Sequence, residues 1–423
     1  MHIGIIIGRI GDVDGVALET EKWIAVLERI GHTVCVLSGS FGEHAVDPER
    51  ETLYRPLFFF SAECRWEQRR AFFSPPDDPD ELLTVLHKNA RAVATQIRRW
   101  ALANRIDVLL SENASSLPAH LSMGLGIKLA AETLSIPVVA HNHDFAWERG
   151  TRYDTPFREV EALVDSAFPL RLPDVRQAVI SSAAVTELKH RFGLDSTVVP
   201  NVMDFARDYA RKDSYNAHLL RDIGMDADDL PLFQVTRIVK RKGIETAIDL
   251  VRRLDDPRVK LVITGSAADD NGGDHFKELQ ALANGINGHS VTFAHPKILS
   301  HRHRGPDGRR VYSLEDAYAN AAGVTYFSTY EGFGNAFVES VLARKPIFVN
   351  NYTPVYWPDI GSKGFRAVMI EDGKLTDEAV SEIDQVVHDP ALAREIAEHN
   401  FELGKKHFSY EVLEKRLTTL FAF

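Results

Sequence analysis

The chain alternates short apolar runs with amphipathic helical stretches along almost its whole length, and this alternation limits its fold more than any other feature. Ile3 to Ile7 is continuously apolar, as a parallel strand covered on both faces would be. An amphipathic stretch that ends at Gly31 follows, and the apolar run Thr33 to Leu37 comes next. The same order recurs in both halves. The sequence therefore predicts an α/β protein with two doubly wound, Rossmann-like parallel sheets.

The length agrees with two domains, because 423 residues exceed what one ordinary domain holds. A polar, aspartate-rich stretch at 201–229 suits the connection between them. We place the first domain at 1–203 and the second at 204–405, followed by a last helix at 406–423. Residues 295–312 are basic, rich in histidine and without periodicity, which predicts a loop. Within it, 300–304 are expected to be a solvated surface excursion, and a site for a metal or an acidic substrate is the alternative.

Charge and composition exclude several classes of partner. The 49 Lys and Arg residues against 60 Asp and Glu give a net charge of −11, which argues against nucleic-acid binding. The two cysteines, Cys35 and Cys64, cannot build a disulfide framework. No window reaches the ~20 apolar residues that a membrane span needs. We expect a cytoplasmic protein with no transmembrane segment and no nucleic-acid partner, and the sequence indicates no particular oligomeric state.

The first strand is followed by Gly8, Gly11 and Gly15, which do not have the G-x-G-x-x-G spacing of dinucleotide-binding proteins. The second strand also ends without the acidic residue that would hold a ribose, so a nicotinamide enzyme is disfavoured. Gly15 lies beside the start of the first helix, where a small residue lets the backbone approach a phosphate or a sugar. An ordinary tight turn is the alternative.

A polar cluster, His141, His143 and Asp144, follows the apolar strand at 137–140. Ligands of such sheets bind at the carboxyl ends of the strands, so a substrate-binding or catalytic histidine is favoured over a structural one. The H-x-H pair could also begin a metal site, but no third ligand with clear spacing follows, and we predict no metal. We place Asn113, which follows an earlier strand, on the same side of the site.

A basic cluster follows the first strand of the second half. Arg237 stands near the end of this strand, and Lys242 opens a helix behind the next loop. A guanidinium, an ammonium and the free amides of a helix N-terminus together suit a diphosphate. A solvated basic turn is the alternative.

The strongest pattern is a glycine-rich loop, 332–334, that follows Glu331 and precedes Glu339. Such a loop presents backbone amides to an anion, while one carboxylate can meet a sugar and the other a ribose diol. The alternative is one loop carboxylate and one unrelated capping or surface carboxylate.

Together these blocks resemble glycosyltransferase family 4, whose members are retaining sugar transferases of the GT-B architecture. The Glu331 to Glu339 block is the specific part, supported by Arg237 with Lys242 and by residues 199–201. Further segments are similar to a subgroup that includes mannosylglucosylglycerate synthases, namely 330–339, 350–352 and 363–365. The resemblance implies two Rossmann-like domains that face a cleft, an acceptor-side domain and a nucleotide-sugar-binding domain, with the last helix returning to the first domain.

The resemblance also implies roles for individual residues. Arg237 and Lys242 would hold the donor diphosphate, and Glu339 would bind the donor ribose. The whole donor-binding set would be Gly15, Arg237, Lys242, Gly332, Phe333, Gly334, Asn335, Ala336 and Glu339. The catalytic set would be His143, Glu331, Arg237 and Lys242, and the acceptor-binding set His141, Asp144 and Asn113. Of the two histidines, His143 is the better match for the one that lies against the transferred sugar.

The resemblance therefore implies a retaining hexosyltransferase that uses a nucleotide-diphosphate sugar of the GDP-mannose or UDP-glucose type. The acceptor would be a small hydroxylated molecule, such as a glucosylglycerate-like compatible solute. No cofactor is expected, because two fixed cations can do what a divalent ion does in other transferases, although Mg²⁺ is compatible with such a site. A sugar-nucleotide epimerase, a glycoside phosphorylase on the same fold and a non-catalytic sugar-nucleotide-binding subunit are the alternatives.

Overall fold

The chain forms two compact units in a computed structural model that describes residues 1–11, 14–42, 47–266, 273–286 and 291–423. The first unit is Met1–Val202 together with Tyr410–Phe423, and the second is Met203–Ser409. Each unit is built on a parallel sheet with helices, which confirms the predicted α/β class.

The first unit has a seven-stranded parallel sheet in the described residues. Its strands are β1 (His2–Ile7), β2 (Thr33–Ser38), β3 (Glu51–Leu53), β4 (Val108–Glu112), β5 (Val138–Asn142), β6 (Val175–Val179) and β7 (Ser196–Val198). Its α-helices before β7 are α1 (Gly15–Arg29), α2 (Ala62–Gln68), α3 (Asp80–Ala103), α4 (Leu121–Leu134), α5 (Arg158–Ala167) and α6 (Ser182–Phe192). The strand order is β3-β2-β1-β4-β5-β6-β7, so the order reverses between β1 and β4. Ligands of doubly wound sheets bind at such a reversal, beyond the carboxyl ends of the strands.

The second unit repeats this architecture with a six-stranded parallel sheet. Its strands are β8 (Leu230–Gln234), β9 (Val259–Ile263), β10 (Val291–Phe293), β14 (Gly323–Tyr326), β15 (Ile347–Asn350) and β16 (Val368–Ile370), and a small separate sheet has β11 (Ile298–Leu299), β12 (His303–Arg304) and β13 (Arg310–Ser313). Its helices are α7 (Leu219–Asp222), α8 (Ile244–Leu254), α9 (Asp274–Gly285), α10 (Leu314–Asn320), α11 (Asn335–Leu342), α12 (Asp377–His388) and α13 (Pro390–Phe408). The strand order β10-β9-β8-β14-β15-β16 reverses between β8 and β14.

Helix α1 begins at Gly15 and stops two residues before Gly31, close to where the sequence pattern predicts its ends. The Asp14 carboxylate caps it by accepting hydrogen bonds from the backbone N–H groups of Val16 and Ala17, at 2.9 and 3.1 Å. Gly31 has a φ of 89°, a left-handed conformation that favours glycine after a helix. The first βα loop is therefore anchored at its helix end, one residue before Gly15.

The last helix, α14 (Tyr410–Leu420), packs in the first unit. Leu413 and Leu417 are fully buried and share one apolar core with Ile3 of β1 and Trp23 of α1. Three helices, α12, α13 and α14, follow β16, because Asp389 and Ser409 each interrupt the helical hydrogen bonding with extended backbone.

The segment 295–312, predicted as a loop, is exposed at 300–304 as expected, but it does contain regular structure. Part of it is β11, β12 and the start of β13, and β13 pairs with both of the others. Arg302 lies between β11 and β12 and makes ion pairs with Asp213 and with the fully buried Asp316. The basic residues that suggested a solvated loop thus include one that holds the small sheet to its own unit.

Strand β6 ends at Val179, and the Ser181 side chain caps α6 by accepting from Ala184 N–H at 3.3 Å. Among the described residues, no helix combines the length and the apolar character that crossing a bilayer demands.

Candidate active site

In the first unit, Glu112, His141 and His143 converge at the carboxyl ends of neighbouring strands. Glu112 ends β4 and pairs in register with His141 of β5, so their side chains are neighbours on one face. His143 follows two residues later on the same face. Oε1 of Glu112 lies 2.8 Å from Nδ1 of His141 and 2.9 Å from Nε2 of His143. One carboxylate oxygen therefore contacts both imidazoles.

This cluster is buried almost completely. Glu112 and His141 have no exposed surface, and 8% of the His143 side chain is exposed. The Trp23 ring stacks on His141 with centroids 4.0 Å apart. A ligand would therefore contact His143, whereas His141 lies behind His143 in the buried part of the cluster. The predicted acceptor contact of His141 would require this residue to become exposed.

Burial and hydrogen bonding oppose each other at Glu112. Burial alone would raise the pKa of its carboxyl, but the two histidines outweigh it and hold that pKa below the ordinary value. Burial also lowers the pKa of His141, against the attraction of Glu112. Glu112 is thus a buried carboxylate near neutral pH, and imidazoles are its partners.

The same three side chains are the group of metal-binding residue types that lies closest together in the described chain. Their ligand atoms lie within 4.8 Å of one another, so Glu112 supplies the third ligand that the sequence pattern lacked. Two ligands of a tetrahedral zinc site, each about 2.0–2.1 Å from the metal, are separated by roughly 3.3 Å. The contacts of 2.8 and 2.9 Å are shorter and have the length of hydrogen bonds. The cluster is arranged as a carboxylate between two imidazoles.

Asn113 ties the loop after β4 to the loop after β5. It has a φ of 49°, a left-handed conformation that asparagine tolerates better than most residues. Its Oδ1 accepts from the backbone N–H of His143 at 3.0 Å and from the Ser116 hydroxyl at 2.7 Å. Its Nδ2 donates to Asp144 at 3.0 Å, and Asp144 also pairs with Arg149. Asn113, His143 and Asp144 are therefore brought together.

The first βα loop also ends at the carboxyl edge of this sheet. Gly15 is exposed at the start of α1, next to Asp14, whose carboxylate also pairs with Arg9. Gly8 is needed for packing, because a Cβ there would lie 2.3 Å from the Phe59 ring. Residues 12 and 13 lie outside the described residues. The donor contact predicted for Gly15 stays a prediction.

In the second unit, Glu331 lies in the loop after β14 and contacts two cations. Lys242 makes an ion pair with its Oε1, and the Arg241 guanidinium lies 3.1 Å from its Oε2. Arg241 also donates to the backbone carbonyl of Tyr330 at 2.8 Å. Glu331 and Lys242 are each only 8% exposed. The two blocks that the sequence placed about ninety positions apart therefore meet in one buried charge cluster.

The charges of this cluster are coupled. Burial alone would raise the pKa of the Glu331 carboxyl, but Lys242 and Arg241 outweigh it and hold that pKa below its usual range. Burial lowers the pKa of Lys242, and the positive charges of Arg241 and Arg237 act in the same direction. Arg237 is exposed in the loop after β8, near enough for its charge to act on Lys242. Of the two predicted cations, Lys242 thus contacts Glu331, and Arg237 lies near enough to act on Lys242.

Two glycines allow the loops of this cluster to pack tightly. Gly243 follows Lys242 with a φ of 59°, and a Cβ there would lie 2.2 Å from the backbone oxygen of Phe327. Gly334 precedes α11 with a φ of 126°, and a Cβ there would lie 2.3 Å from the hydroxyl oxygen of Tyr352. Side chains at either position would push the cations or the helix start away from Glu331.

The predicted glycine-rich loop leads directly into α11. Gly332 and Phe333 precede Gly334, and α11 begins with Asn335 and Ala336, so its first backbone N–H groups lie next to the loop. Phe333 is buried and packs edge-on against Phe408, which makes it a packing residue in this structure.

Glu339 lies one turn into α11, partly exposed. Oε2 of Glu339 accepts a hydrogen bond from the Tyr318 hydroxyl at 2.9 Å. Burial raises the pKa of Tyr318 well above its ordinary value, and the charge of Glu339 adds to this, so the hydroxyl stays a donor. The carboxylate is therefore held in one orientation from the side of α10.

Three residues of these clusters were missed by the sequence reasoning: Glu112, Arg241 and Tyr318. Glu112 could have been found by the rule that selected His143, since it follows an apolar strand directly. Arg241 was part of the basic run but was not singled out. Tyr318 gave no signal, because a tyrosine at a helical spacing within an apolar segment is typical of a core residue.

Comparison with known proteins decides the family. The chain is 33% identical over 445 residues to the mannosylglucosylglycerate synthase of Thermotoga maritima, with 99% of both chains covered. It is 28% identical to the protein of that name from Petrotoga mobilis, covering 98% of this chain and 100% of the relative. This chain belongs to the mannosylglucosylglycerate synthase family. No protein-family model matches this family member.

The fold of this mannosylglucosylglycerate synthase family member is that of the GT-B glycosyltransferases, as predicted. HepE of Anabaena, solved in complex with UDP and glucose, superposes with a TM-score of 0.67 at 16% identity, covering 100% of this chain and 99% of HepE. The family member is a glycosyltransferase, which confirms the predicted enzyme class.

Proposed function

We propose that this chain is a retaining hexosyltransferase that moves a hexosyl group from a nucleotide-diphosphate sugar to a small hydroxylated acceptor. The contact that carries this proposal is the buried Glu331 between Lys242 and Arg241, beside the loop that opens α11. Such a cluster suits the diphosphate and sugar of a donor, because it offers fixed cations, a carboxylate and helix amides together. The names of the two relatives support an acceptor similar to glucosylglycerate and a mannosyl donor.

In this mechanism the bond between the sugar C1 and the diphosphate oxygen breaks. The acceptor oxygen attacks on the same face, and its proton passes to the leaving diphosphate. Arg237, Lys242 and the amides near Gly334 stabilise the charge that develops on the leaving group. Preorganised groups of this kind commonly supply ~3 to 4 kcal/mol each. No residue forms a covalent bond to the sugar.

The remaining site residues bind and orient the substrates. Glu339, held by Tyr318, would bind the donor ribose, and Glu331 would lie against the transferred sugar. His143, Asp144 and Asn113 would contact the acceptor or the reacting sugar. No metal is assigned a role here, because the fixed cations serve the diphosphate. Both cysteines are free and buried, which suits a reducing compartment, and we place the enzyme in the cytoplasm.

Thermal unfolding with a panel of GDP, UDP and ADP and their sugars tests the donor site. At a 100-fold excess over Kd, binding adds ~2.7 kcal/mol of stability, which raises the unfolding midpoint visibly. One nucleotide should stabilise the wild-type protein and the Lys240→Ala control, whose lysine is exposed on the same turn, but not Lys242→Ala. No shift with any nucleotide would overturn the proposed donor site.

Product analysis tests the reaction. Incubation of GDP-mannose or UDP-glucose with glucosylglycerate should yield a new glycoside whose anomeric proton shows the donor's configuration by NMR. An inverted product would overturn the retaining mechanism. Consumption of the product with inorganic phosphate would favour a phosphorylase, and conversion of the sugar nucleotide without acceptor would favour an epimerase. Binding without either reaction would leave a sugar-nucleotide-binding subunit.

A further inference from the structure

The Glu112 carboxylate has no part in the mechanism above, yet it contacts the histidine that does. We propose that Glu112 is a positioning residue, which fixes the tautomer of His143 and thereby decides which ring nitrogen the substrate meets. This rests on the proposed function, because His143 matters for turnover only if the chain transfers a sugar.

The geometry leaves Glu112 few partners. Its Oε1 lies 2.9 Å from Nε2 of His143 and 2.8 Å from Nδ1 of His141, and neither Glu112 nor His141 has exposed surface. Among the described residues, no lysine or arginine forms an ion pair with Glu112. A buried carboxylate that lacks a fixed cation depends on its hydrogen-bond donors, and here the imidazole of His143 makes the hydrogen bond while His141 lies in close contact.

The carboxylate determines where His143 carries its proton. An ionised carboxylate can only accept hydrogen bonds, so Nε2 of His143 must bear the hydrogen that points at Glu112. A neutral His143 then has its lone pair at Nδ1 and can accept a hydrogen bond from a substrate hydroxyl there. The opposite tautomer would place a lone pair against the carboxylate and an N–H towards the substrate.

The backbone of His143 is fixed as well. Its N–H donates to Oδ1 of Asn113 at 3.0 Å, and Asn113 is the residue that follows Glu112. Backbone and ring of His143 are thus both bound to adjacent residues at the end of β4. Such double fixation is what a group needs when its orientation, more than its presence, decides the rate.

The variant Glu112→Gln tests this role. A glutamine amide can donate to Nε2 of His143, which favours the wrong tautomer while keeping the shape of the side chain. In hydrolases whose histidine is oriented by a carboxylate, the corresponding change costs ~10⁴ in turnover. By the same reasoning, we expect the kcat of Glu112→Gln with GDP-mannose and glucosylglycerate to fall at least ~100-fold. The KM for GDP-mannose should stay within about twofold of wild type.

The first unit offers a matched control in Glu67 of α2. Glu67 is also fully buried beside a histidine: its Oε2 lies 3.5 Å from Nδ1 of His120, and it accepts from Asn89 and from the Ser122 backbone. Glu67→Gln should lower the unfolding midpoint and leave kcat within twofold of wild type. If both variants lose kcat equally, Glu112 is merely a structural residue and the proposal is overturned.

A double variant asks whether Glu112 acts through His143. If it does, Glu112→Gln added to His143→Gln should lower kcat no further than His143→Gln alone. Multiplicative losses would contradict the proposal, as would a Glu112→Gln enzyme with wild-type kcat.

Nitrogen NMR of the histidine rings separates this inference from the proposed function. In wild-type protein labelled with ¹⁵N-histidine, the ring signals lost in His143→Gln should show a proton on Nε2 at neutral pH. A wild-type His143 with its proton only on Nδ1 would overturn the inference, even if Glu112→Gln fails to fold. Absence of transfer with every donor and acceptor would overturn the proposed function instead, while the NMR result on His143 would still stand.

Discussion

Each unit buries a glutamate at the carboxyl edge of its parallel sheet, but the two units balance that charge differently. In the first unit Glu112 contacts two histidines, whereas in the second Glu331 contacts Lys242 and Arg241. Arginine stays charged at any physiological pH, and Lys242 is paired with the Glu331 carboxylate, so the second cluster suits a permanently charged ligand such as a diphosphate. Histidines can change protonation near neutrality, so the first cluster suits contacts with hydroxyl groups and protons.

The largest expected effect tests the fixed cations of the second cluster. Lys242→Ala should lower kcat on the order of 10²- to 10³-fold, because it removes one preorganised charge from the leaving diphosphate. Turnover of GDP-mannose in a coupled GDP-release assay measures this, with Lys240→Ala as the control on the same turn. If kcat falls tenfold or less, the second cluster is structural. The different partners of Glu112 and Glu331 would then no longer distinguish an acceptor site from a donor site.

The next prediction concerns the backbone conformations that hold the two clusters in place. Both rely on left-handed backbone, at Asn113 with φ 49° and at Gly334 with φ 126°. Gly334→Ala should cost about 1 to 3 kcal/mol in backbone strain, plus the clash with the hydroxyl of Tyr352. Asn113→Gly keeps its backbone conformation but loses three side-chain hydrogen bonds, each worth roughly 1 kcal/mol net. Denaturant unfolding measures both losses.

Two controls sharpen this test. Gly193→Ala has a φ of 67° but open space around the added Cβ, so it should show the strain without the clash. Tyr352→Phe added to Gly334→Ala should recover the part of the loss that comes from the clash. If Gly334→Ala is no worse than Gly193→Ala, the tight packing of the second cluster contributes nothing to stability.

A smaller effect follows from the protonation of the partners. The pKa of His141 is lowered in the folded protein, so the unfolded chain binds its proton first as the pH falls, and stability is lost below the ordinary histidine pKa of about 6.5. The pKa of Glu331 is also lowered, so its contribution is present above the ordinary glutamate pKa of about 4.3 and is lost only below it. Unfolding midpoints between pH 7 and 3 should show two separate windows.

Variants assign these windows to the clusters. His141→Gln should flatten the loss of stability between about pH 6.5 and 5, and Glu331→Gln the loss below about pH 4.3. Because the pKa of Glu112 is lowered as well, His141→Gln can also change the loss below about pH 4.3. Flattening of the window above about pH 5 by both variants would contradict the distinction between titratable and fixed partners.

The smallest effect concerns Glu339. Tyr318→Phe removes one hydrogen bond to this carboxylate, and a hydrogen bond to a charged group is worth about 1.5 to 3 kcal/mol, of which only a part bears on the ligand. We expect the Kd of the stabilising nucleotide to rise several-fold in calorimetry. Tyr312→Phe is the control, because the hydroxyl of Tyr312 in β13 donates to Asp222 at the end of α7, at 2.6 Å. Equal changes in both variants would show that the Tyr318 effect is general destabilisation.

The alternation of apolar runs was enough to predict most of the two sheets, because strands covered on both faces need continuous apolar sequence. It failed at 295–312, where two-residue strands are too short for any periodicity and Arg302 is stabilised by carboxylates distant in sequence. It also missed α5, because the first turn of this helix is charged and only Val160 and Ala167 are fully buried, which leaves too few apolar positions for a clear helical pattern.

The candidate site divides in the same way. Motif residues such as Glu331 and Lys242 could be predicted, since each stands at a strand end or helix start that the pattern fixes. Their mutual ion pair could not, because it depends on how two loops about ninety positions apart pack around Gly243. The role of Glu112 could not be predicted either, because it depends on the register of β4 and β5, which places Glu112 beside His141.

The chain order of the two units affects how the protein is made. Residues 203–409 form one continuous stretch, whereas the first unit needs α14 from the very end of the described chain to cover Ile3 and Trp23. On the ribosome, the whole second unit is therefore synthesised before the first can complete its core. Until α14 is made, part of the apolar surface of the N-terminal sheet stays uncovered. The half of the chain that is translated first is therefore the half most open to aggregation and to chaperone binding during synthesis.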